Sequence, residues 1–387
     1  MTEGSREGSR EGLRGGITTG SCAALAAKAA ALLLFRGERV AQIEIPLPDG
    51  SRLEWPVATL ELCDARAQSR DKSNSATCAA ASIIKDAGDD PDVTHGARIH
   101  VHLRPHASTA LVFRAGDGVG TVTLPGLALG VGEAAINPVP RAMILAAVRE
   151  VTDQGVIVTV SVDGGTELAE KTFNPKLGIH GGISIIGTSG RVRPFSAPAL
   201  QQSLKCALDI CVASHIRAPV LVPGNMGRNA ARREFTLEPQ QVVEVSNEWG
   251  YMLDLAQQHP FNAVLMLGHP GKLAKLAMGQ WDTHSARSDS GAPFVAELAR
   301  QLLARPIATI TDATTVEGLF MQQLTPAERH QVATTLARKI QRSTARTFPA
   351  AWQPRVVLIN LKGEVLGSVG DLSPWKPSVS STSENAL

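Results

Sequence analysis

The sequence predicts two folded parts with different grammar: an α+β N-terminal domain with hairpins, then an α/β three-layer domain with a mainly parallel sheet. Two observations carry this. Up to residue 172, short alternating runs are punctuated by turn signals, Asp49-Gly50 between two of them and Asp163-Gly164-Gly165 after another. From residue 173, apolar runs end in glycine-bearing loops and lead into helical patterns, as in a parallel sheet covered on both faces. The expected limits are a disordered tail over 1–12, the α+β domain over 13–172, the Rossmann-like α/β domain over 173–375 and a disordered tail over 376–387.

Each element has a local reason. The Glu-Gly-Ser-Arg repeat of the first dozen residues and the serine-rich stretch after Trp375 bury too little apolar surface to fold. Thr18-Thr19-Gly20-Ser21 offers hydroxyls at a helix entrance, and the Ala/Leu run that follows reaches Arg36-Gly37, a helix stop. Residues 43–47 and 51–57 read as a hairpin about Asp49-Gly50. A second alanine-rich helix is expected from Ser75 to Lys85, then a strand from Ala97 to Leu103. Further strands are expected near Leu111 and Thr121 and over 156–162, the last returning as a hairpin strand over 166–172. Pro138 and Pro140 hold Asn137 and Val139 extended and set Arg141 at the start of a helix. In the second part the strands are Ile183–Ile186, Pro219–Val222, Ala263–Leu267 and Ile307–Ile310.

Composition bounds the class. The chain has 387 residues, 43% hydrophobic and 19% charged, with a net charge of +2, which is an ordinary globular balance. With 4% aromatics and no basic stripe, nucleic acid is not an expected partner. Five cysteines form no C-x-x-C pair, so free thiols, a reducing cytoplasmic compartment and no structural zinc are expected. The longest apolar run, Cys22 to Phe35, contains Lys28 and is read as too short to span a bilayer.

The most informative stretch runs from Gly178 to Gly190, where an apolar run enters a loop of glycines and hydroxyls, Gly187-Thr188-Ser189-Gly190. Glycine there permits positive φ and a close approach of backbone N–H groups to a ligand, while a tight turn between strands is the competing reading. With Pro223-Gly224-Asn225 and Gly268 to Lys272 it forms a set of strand-end loops, where ligands bind in open α/β sheets. Neither a G-x-G-x-x-G nor a Walker spacing is present. Asp86, Asp89, Asp90, Asp92 and His95 crowd ten positions, either as acid–base groups or as local caps of backbone N–H groups. His95, Asp89 and Asp90 are the catalytic candidates. His269, Lys272 and Thr283-His284-Ser285 stand at expected sheet mouths, as contacts or as loop caps.

Taken together the chain resembles the CbiD family of cobalt-precorrin-5B C(1)-methyltransferases. The resembling segments are Gly16–Ala24, Lys85–Gly96, Gly116–Thr123, Pro125–Leu127, Gly132–Glu133, Ala135–Arg141, Asn174–Pro175 and Leu177–Gly190, with Gly268, Gly271-Lys272-Leu273 and Thr283-His284-Ser285. Leu124 and Ala286 stand where the family pattern carries lysine, and Ala197-Pro198 where it tends to be acidic. The resemblance implies methyl transfer from S-adenosylmethionine to ring carbon 1 of a cobalt-containing tetrapyrrole, the cobalt belonging to the substrate and no metal being held by the protein itself. On that footing Gly187, Thr188, Ser189, Gly190, Gly224 and Asn225 are expected to hold the donor. Thr18, Thr19, Ser21, Asn137, Arg141, Lys176, His269, Lys272 and His284 are expected to face the macrocycle. Self-association as a homo-oligomer is left open. Two rivals are a phosphotransferase, which would use the glycine loops with Asp89 or Asp90 on magnesium but lacks both phosphate-loop spacings, and a non-catalytic corrinoid carrier, which leaves the second glycine-looped domain without a use.

Overall fold

A computed structural model describes residues 12–64, 77–304 and 315–376. The chain divides into two compact units between Pro198 and Ala199. The expected boundary at 173 thus falls short by about one supersecondary unit. Residues 179–180, 182–183 and 191–192 pair with strands of the first unit.

The first unit begins with β1 (Gly16–Ile17) and α1 (Thr19–Arg36), followed by the hairpin β2 (Gln42–Pro46) and β3 (Arg52–Pro56). Then come β4 (Thr59–Asp64), β5 (Thr77–Ile84), β6 (Arg98–His106), β7 (Leu111–Ala115), β8 (Gly118–Val119) and β9 (Thr121–Val122). After α2 (Pro138–Arg149), β10 (Gly155–Val162) and α3 (Gly165–Ala169), the unit closes with β11 (Ile179–His180), β12 (Gly182–Ile183) and β13 (Arg191–Val192). The main sheet has the order β4-β5-β6-β10-β7, antiparallel except for the β10–β7 pair.

Helix α1 lies in the core against this sheet. Thr18 caps it by accepting from Ser21 N–H, and Gly37 ends it at φ 70°. Among the described residues α1 is the one helix long and apolar enough to cross a membrane. Contrary to the length argument from Lys28, it passes that test, yet 78% of it is buried inside the first unit. It is a core helix, and its alanines meet Ala79 and Ala81 of β5 in one cluster.

That packing corrects the alanine-rich helix expected over 75–85. Residues 77–84 form a strand between β4 and β6, because small side chains let a buried helix approach the sheet closely; here tertiary packing overrides propensity. The hairpin strand expected over 166–172 is also absent. Both edges of β10 are already taken by β6 and β7, so the chain after Gly164, at φ 63°, turns into α3. Cys63 and Cys78 are not free thiols: they stand opposite each other in the β4–β5 register, with Cα atoms 5.0 Å apart, and are joined as a disulfide. Cys22, Cys206 and Cys211 are free.

The second unit starts within α4 (Ala197–Ala213) and continues through β14 (Val220–Val222), α5 (Asn225–Glu234), β15 (Val242–Glu244), α6 (Trp249–Gln257), β16 (Val264–Gly268) and α7 (Pro270–Ala277). Helix α8 (Gly291–Leu303), the turn α9 (Val316–Gly318), α10 (Pro326–Thr347), β17 (Pro354–Ile359) and β18 (Val365–Val369) complete it. The strand expected over Ile307–Ile310 lies outside the described residues. Ile183–Ile186, expected in this sheet, belongs to the first unit, where Gly182–Ile183 pairs with β8. The sheet order is β15-β14-β16-β17-β18, parallel except for β18. Alternate strand residues enter separate cores: Leu221, Met266 and Leu358 pack with α4, α6, α7, α8 and α10, whereas Val222, Leu265 and Ile359 pack with α5 and Trp375. The fold class is thus mixed α and β with sheets of mixed strand direction.

Candidate functional site

The expected residues fall into two groups, one in each unit. In the first unit the glycine loop meets the start of α1. Gly20 N–H donates to Ile186 O at 3.0 Å, and Thr18 N–H and the Ser21 hydroxyl donate to Gly190 O. Thr19 Oγ1 accepts from Ile186 N–H at 2.9 Å. The three hydroxyl residues are buried and occupied with capping and bracing. Gly187, at φ 136°, is required because a Cβ there would overlap the side chain of Thr18. The N–H groups of Gly187, Thr188, Ser189 and Gly190 meet no acceptor among the described residues, and the hydroxyl residues Thr188 and Ser189 are exposed.

Asn137 caps α2 without a side-chain bond to it, and its N–H donates to Ile185 O at 3.0 Å. Arg141 is engaged locally: Nε donates to Ile136 O at 2.7 Å and Nη2 to Ala134 O at 3.2 Å, with Glu133 at 3.3 Å. Lys176 lies 5.3 Å from the Phe173 ring.

The aspartate cluster is compensated. Arg14 forks onto both oxygens of Asp86 at 2.5 and 3.0 Å, and that contact, with Gly88 N–H, draws the Asp86 carboxyl down to about 2. Asp89 accepts from Arg14 N–H at 2.6 Å and Asp90 from Phe195 N–H at 2.8 Å, so each ties backbone segments together. Burial pushes Asp92 up, but Lys85 at 2.6 Å and Thr94 outweigh it and leave it below the usual carboxylate range. For Asp86 and Asp92 the raising that crowded carboxylates invite is outweighed by a cation and N–H donors at each. His95 Nδ1 accepts from Ala87 N–H at 3.1 Å, which puts the proton of the neutral ring on Nε2. The ring borders an open cleft of about 440 Å³ lined also by Asp163, Glu167 and Lys171.

In the second unit the order β15-β14-β16 reverses the winding of the sheet between β14 and β16, and open α/β sheets take ligands beyond the carboxyl ends of strands at such a point. Pro223-Gly224-Asn225 follows β14 and His269 follows β16, so the structure brings together Gly224, Asn225, His269 and Lys272, which the sequence had divided between donor and macrocycle. A Cβ at Gly224 would meet nothing within 4 Å, and its φ of 165° is extended backbone open to any residue. His269 Nδ1 accepts from Gly271 N–H at 3.0 Å as the cap of α7, and Nε2 lies 3.0 Å from Glu317. Lys272 Nζ donates to Asn247 Oδ1 at 2.9 Å. His284 is exposed, and its Nδ1 accepts from Ala286 N–H at 3.2 Å. The Gly187–Gly190 loop is in the other unit.

Asn247, Lys275 and Glu317 were missed. Lys275 was within reach of sequence reasoning, since it stands one turn after Lys272 on the same helix. Asn247 and Glu317 become neighbours only through the sheet order.

The family model named CbiD matches residues 6–194, and the model of the CbiD C-terminal domain matches residues 282–370. A cobalt-precorrin-5B C(1)-methyltransferase of Syntrophotalea carbinolica is 50% identical over 92% of this chain and 97% of its own. The chain belongs to the CbiD family. A Moorella thermoacetica relative with the same name is 40% identical over 90% of this chain and 93% of its own. A crystal structure of a cobalamin biosynthesis protein (CbiD) from Archaeoglobus fulgidus is 30% identical, covering 70% of this chain and 82% of that one, with a TM-score of 0.36.

Proposed function

We infer that this protein methylates ring carbon 1 of cobalt-precorrin-5B, using S-adenosylmethionine and giving cobalt-precorrin-6A and S-adenosylhomocysteine in anaerobic cobalamin synthesis. The observation that carries this reading is 50% identity across nearly the full length of a relative named for that reaction. The matched residues run through both units, so the reading applies to the whole chain rather than to one borrowed domain.

The strand ends of β14 and β16 suit the donor. Open space at Gly224 admits a flat adenosyl group, exposed Asn225 offers an amide, and Lys272 offers a charge for a carboxylate. Bound S-adenosylmethionine supplies a methyl group already activated by its sulfonium. The chain's task is to hold that group in line with the ring carbon and to keep water out. In the first unit, the unpaired N–H groups of 187–190 suit the carboxylates of the macrocycle. Asp89 and Asp90 act on backbone, which leaves His95 as the group able to move a ring proton, through Nε2.

The test is incubation of the purified full chain with cobalt-precorrin-5B and S-adenosylmethionine carrying a 13C methyl group. Label at ring carbon 1 is expected. Unlabelled macrocycle recovered in the presence of bound donor would overturn the assignment.

A further inference from the structure

Helix α7 carries Lys272 and Lys275 one turn apart, beyond the carboxyl ends of β15 and β16. Lys275 is only 6% exposed. Its Nζ donates to Ser288 Oγ at 2.8 Å and Thr283 O at 3.2 Å, both neutral acceptors. Half-buried Lys272 donates to Asn247 Oδ1, which also accepts from the Thr283 hydroxyl at 3.2 Å. Neither lysine forms an ion pair among the described residues. Asp282 and Asp289 act on Lys275 from a distance, but Asp282 is held by Arg287 at 2.5 Å and Asp289 by Gln280 at 2.6 Å. Burial lowers the pKa of both ammonium groups, and the charge of Lys275 lowers that of Lys272 further.

Two neighbouring desolvated cations with neutral acceptors only are an unfavourable arrangement until an anion joins them. Each ammonium has three donors, and Lys275 has used two and Lys272 one. The same network sits at the strand ends where open sheets take ligands.

We propose that Lys272 and Lys275, braced by Asn247 and Thr283, form a receptor for a ligand carboxylate. The proposal rests on the methyltransferase reading for its ligands, since both the amino-acid end of the donor and the side chains of the macrocycle carry carboxylates.

Calorimetry on the full chain separates the sources, using S-adenosylhomocysteine, 5′-methylthioadenosine, which lacks the amino-acid carboxylate, and cobalt-precorrin-5B. If the donor's carboxylate is bound, wild type prefers S-adenosylhomocysteine over methylthioadenosine by about tenfold or more, and Lys272→Gln abolishes the preference. If the macrocycle's is bound, both adenosyl probes bind Lys272→Gln as they bind wild type, while macrocycle affinity falls about tenfold. Lys275→Met, checked by thermal melting, should repeat whichever pattern is found. A folded Lys272→Gln that binds all three probes like wild type overturns the receptor. If wild type binds none of them, the methyltransferase reading fails by itself. The receptor is then judged by NMR of the 13C-dimethylated chain with acetate: a displaced Lys272 signal keeps it, and an unmoved one ends it.

Discussion

The ammonium of Lys85 lies 2.6 Å from Asp92, and the lysine side chain is 1% exposed. Lys85 directly follows β5, and Asp92 sits in the loop that leads to His95, so this pair joins the end of a central strand to the aspartate segment.

Removing one partner should therefore cost more than removing both. Asp92→Asn is expected to destabilise the first unit by about 3 kcal/mol, the low end for a broken buried pair because Asp92 is 25% exposed. Lys85→Met combined with Asp92→Asn should recover most of that loss. Urea unfolding read in the first unit checks both; an Asp92→Asn protein as stable as wild type would show that water already compensates Lys85.

Glycine substitutions at the two loops should behave in opposite ways. Gly224→Val has space and unstrained backbone, so it should fold with a stability change within about 0.5 kcal/mol and lose S-adenosylhomocysteine affinity. Gly187→Val strikes Thr18 and should melt earlier whatever it does to binding. Unchanged affinity in folded Gly224→Val would remove the donor from the strand end of β14.

Thr188→Ala alters an exposed side chain and Ser189→Ala removes exposed hydrogen bonds to the backbone of Arg191, so each should change stability by no more than about 0.5 kcal/mol. If the loop faces the macrocycle, the double variant should raise KM for cobalt-precorrin-5B about threefold to tenfold with donor affinity unaltered. A matching rise in donor Kd instead would return this loop to the adenosyl site.

Acid should weaken the protein through Glu150. Arg52 at 2.8 Å, followed by Lys28, draws its carboxyl from the ordinary 4.5 down to about 2, against a smaller upward push from burial. A depressed carboxyl contributes stability that is present above its unfolded value and lost as pH falls. Wild type should lose this contribution between about pH 4.5 and 2. Glu150→Gln should start lower at pH 7 and show a flatter acid limb in melting temperature.

What was legible in the sequence was local. The Thr18 cap, the Gly37 stop, the hairpin about Gly50 and the strands before Pro223 and His269 all follow from neighbouring residues. What was not legible depended on partners distant in sequence. Ala79 and Ala81 read as helix until α1 is seen lying on them. Cys63 and Cys78 read as free until the strand register sets them face to face. At the site, residue types were recognisable but their grouping was not: His269 and Lys272 join Gly224 only through a sheet order that no spacing reveals.

The pairing of Ile17 with Arg191 sets the order of assembly. The first helix of the unit has its local Thr18 cap from the start, but the N–H groups of Thr18 and Gly20 and the Ser21 hydroxyl find their acceptors, Gly190 and Ile186, only when the last loop of that unit exists. A nascent chain must therefore carry α1 with these groups unmet until Arg191, 174 residues after Ile17, has emerged. Closing so long a loop is slow, so this pairing should form late, and truncations short of Val192 should leave the start of α1 frayed and open to proteases.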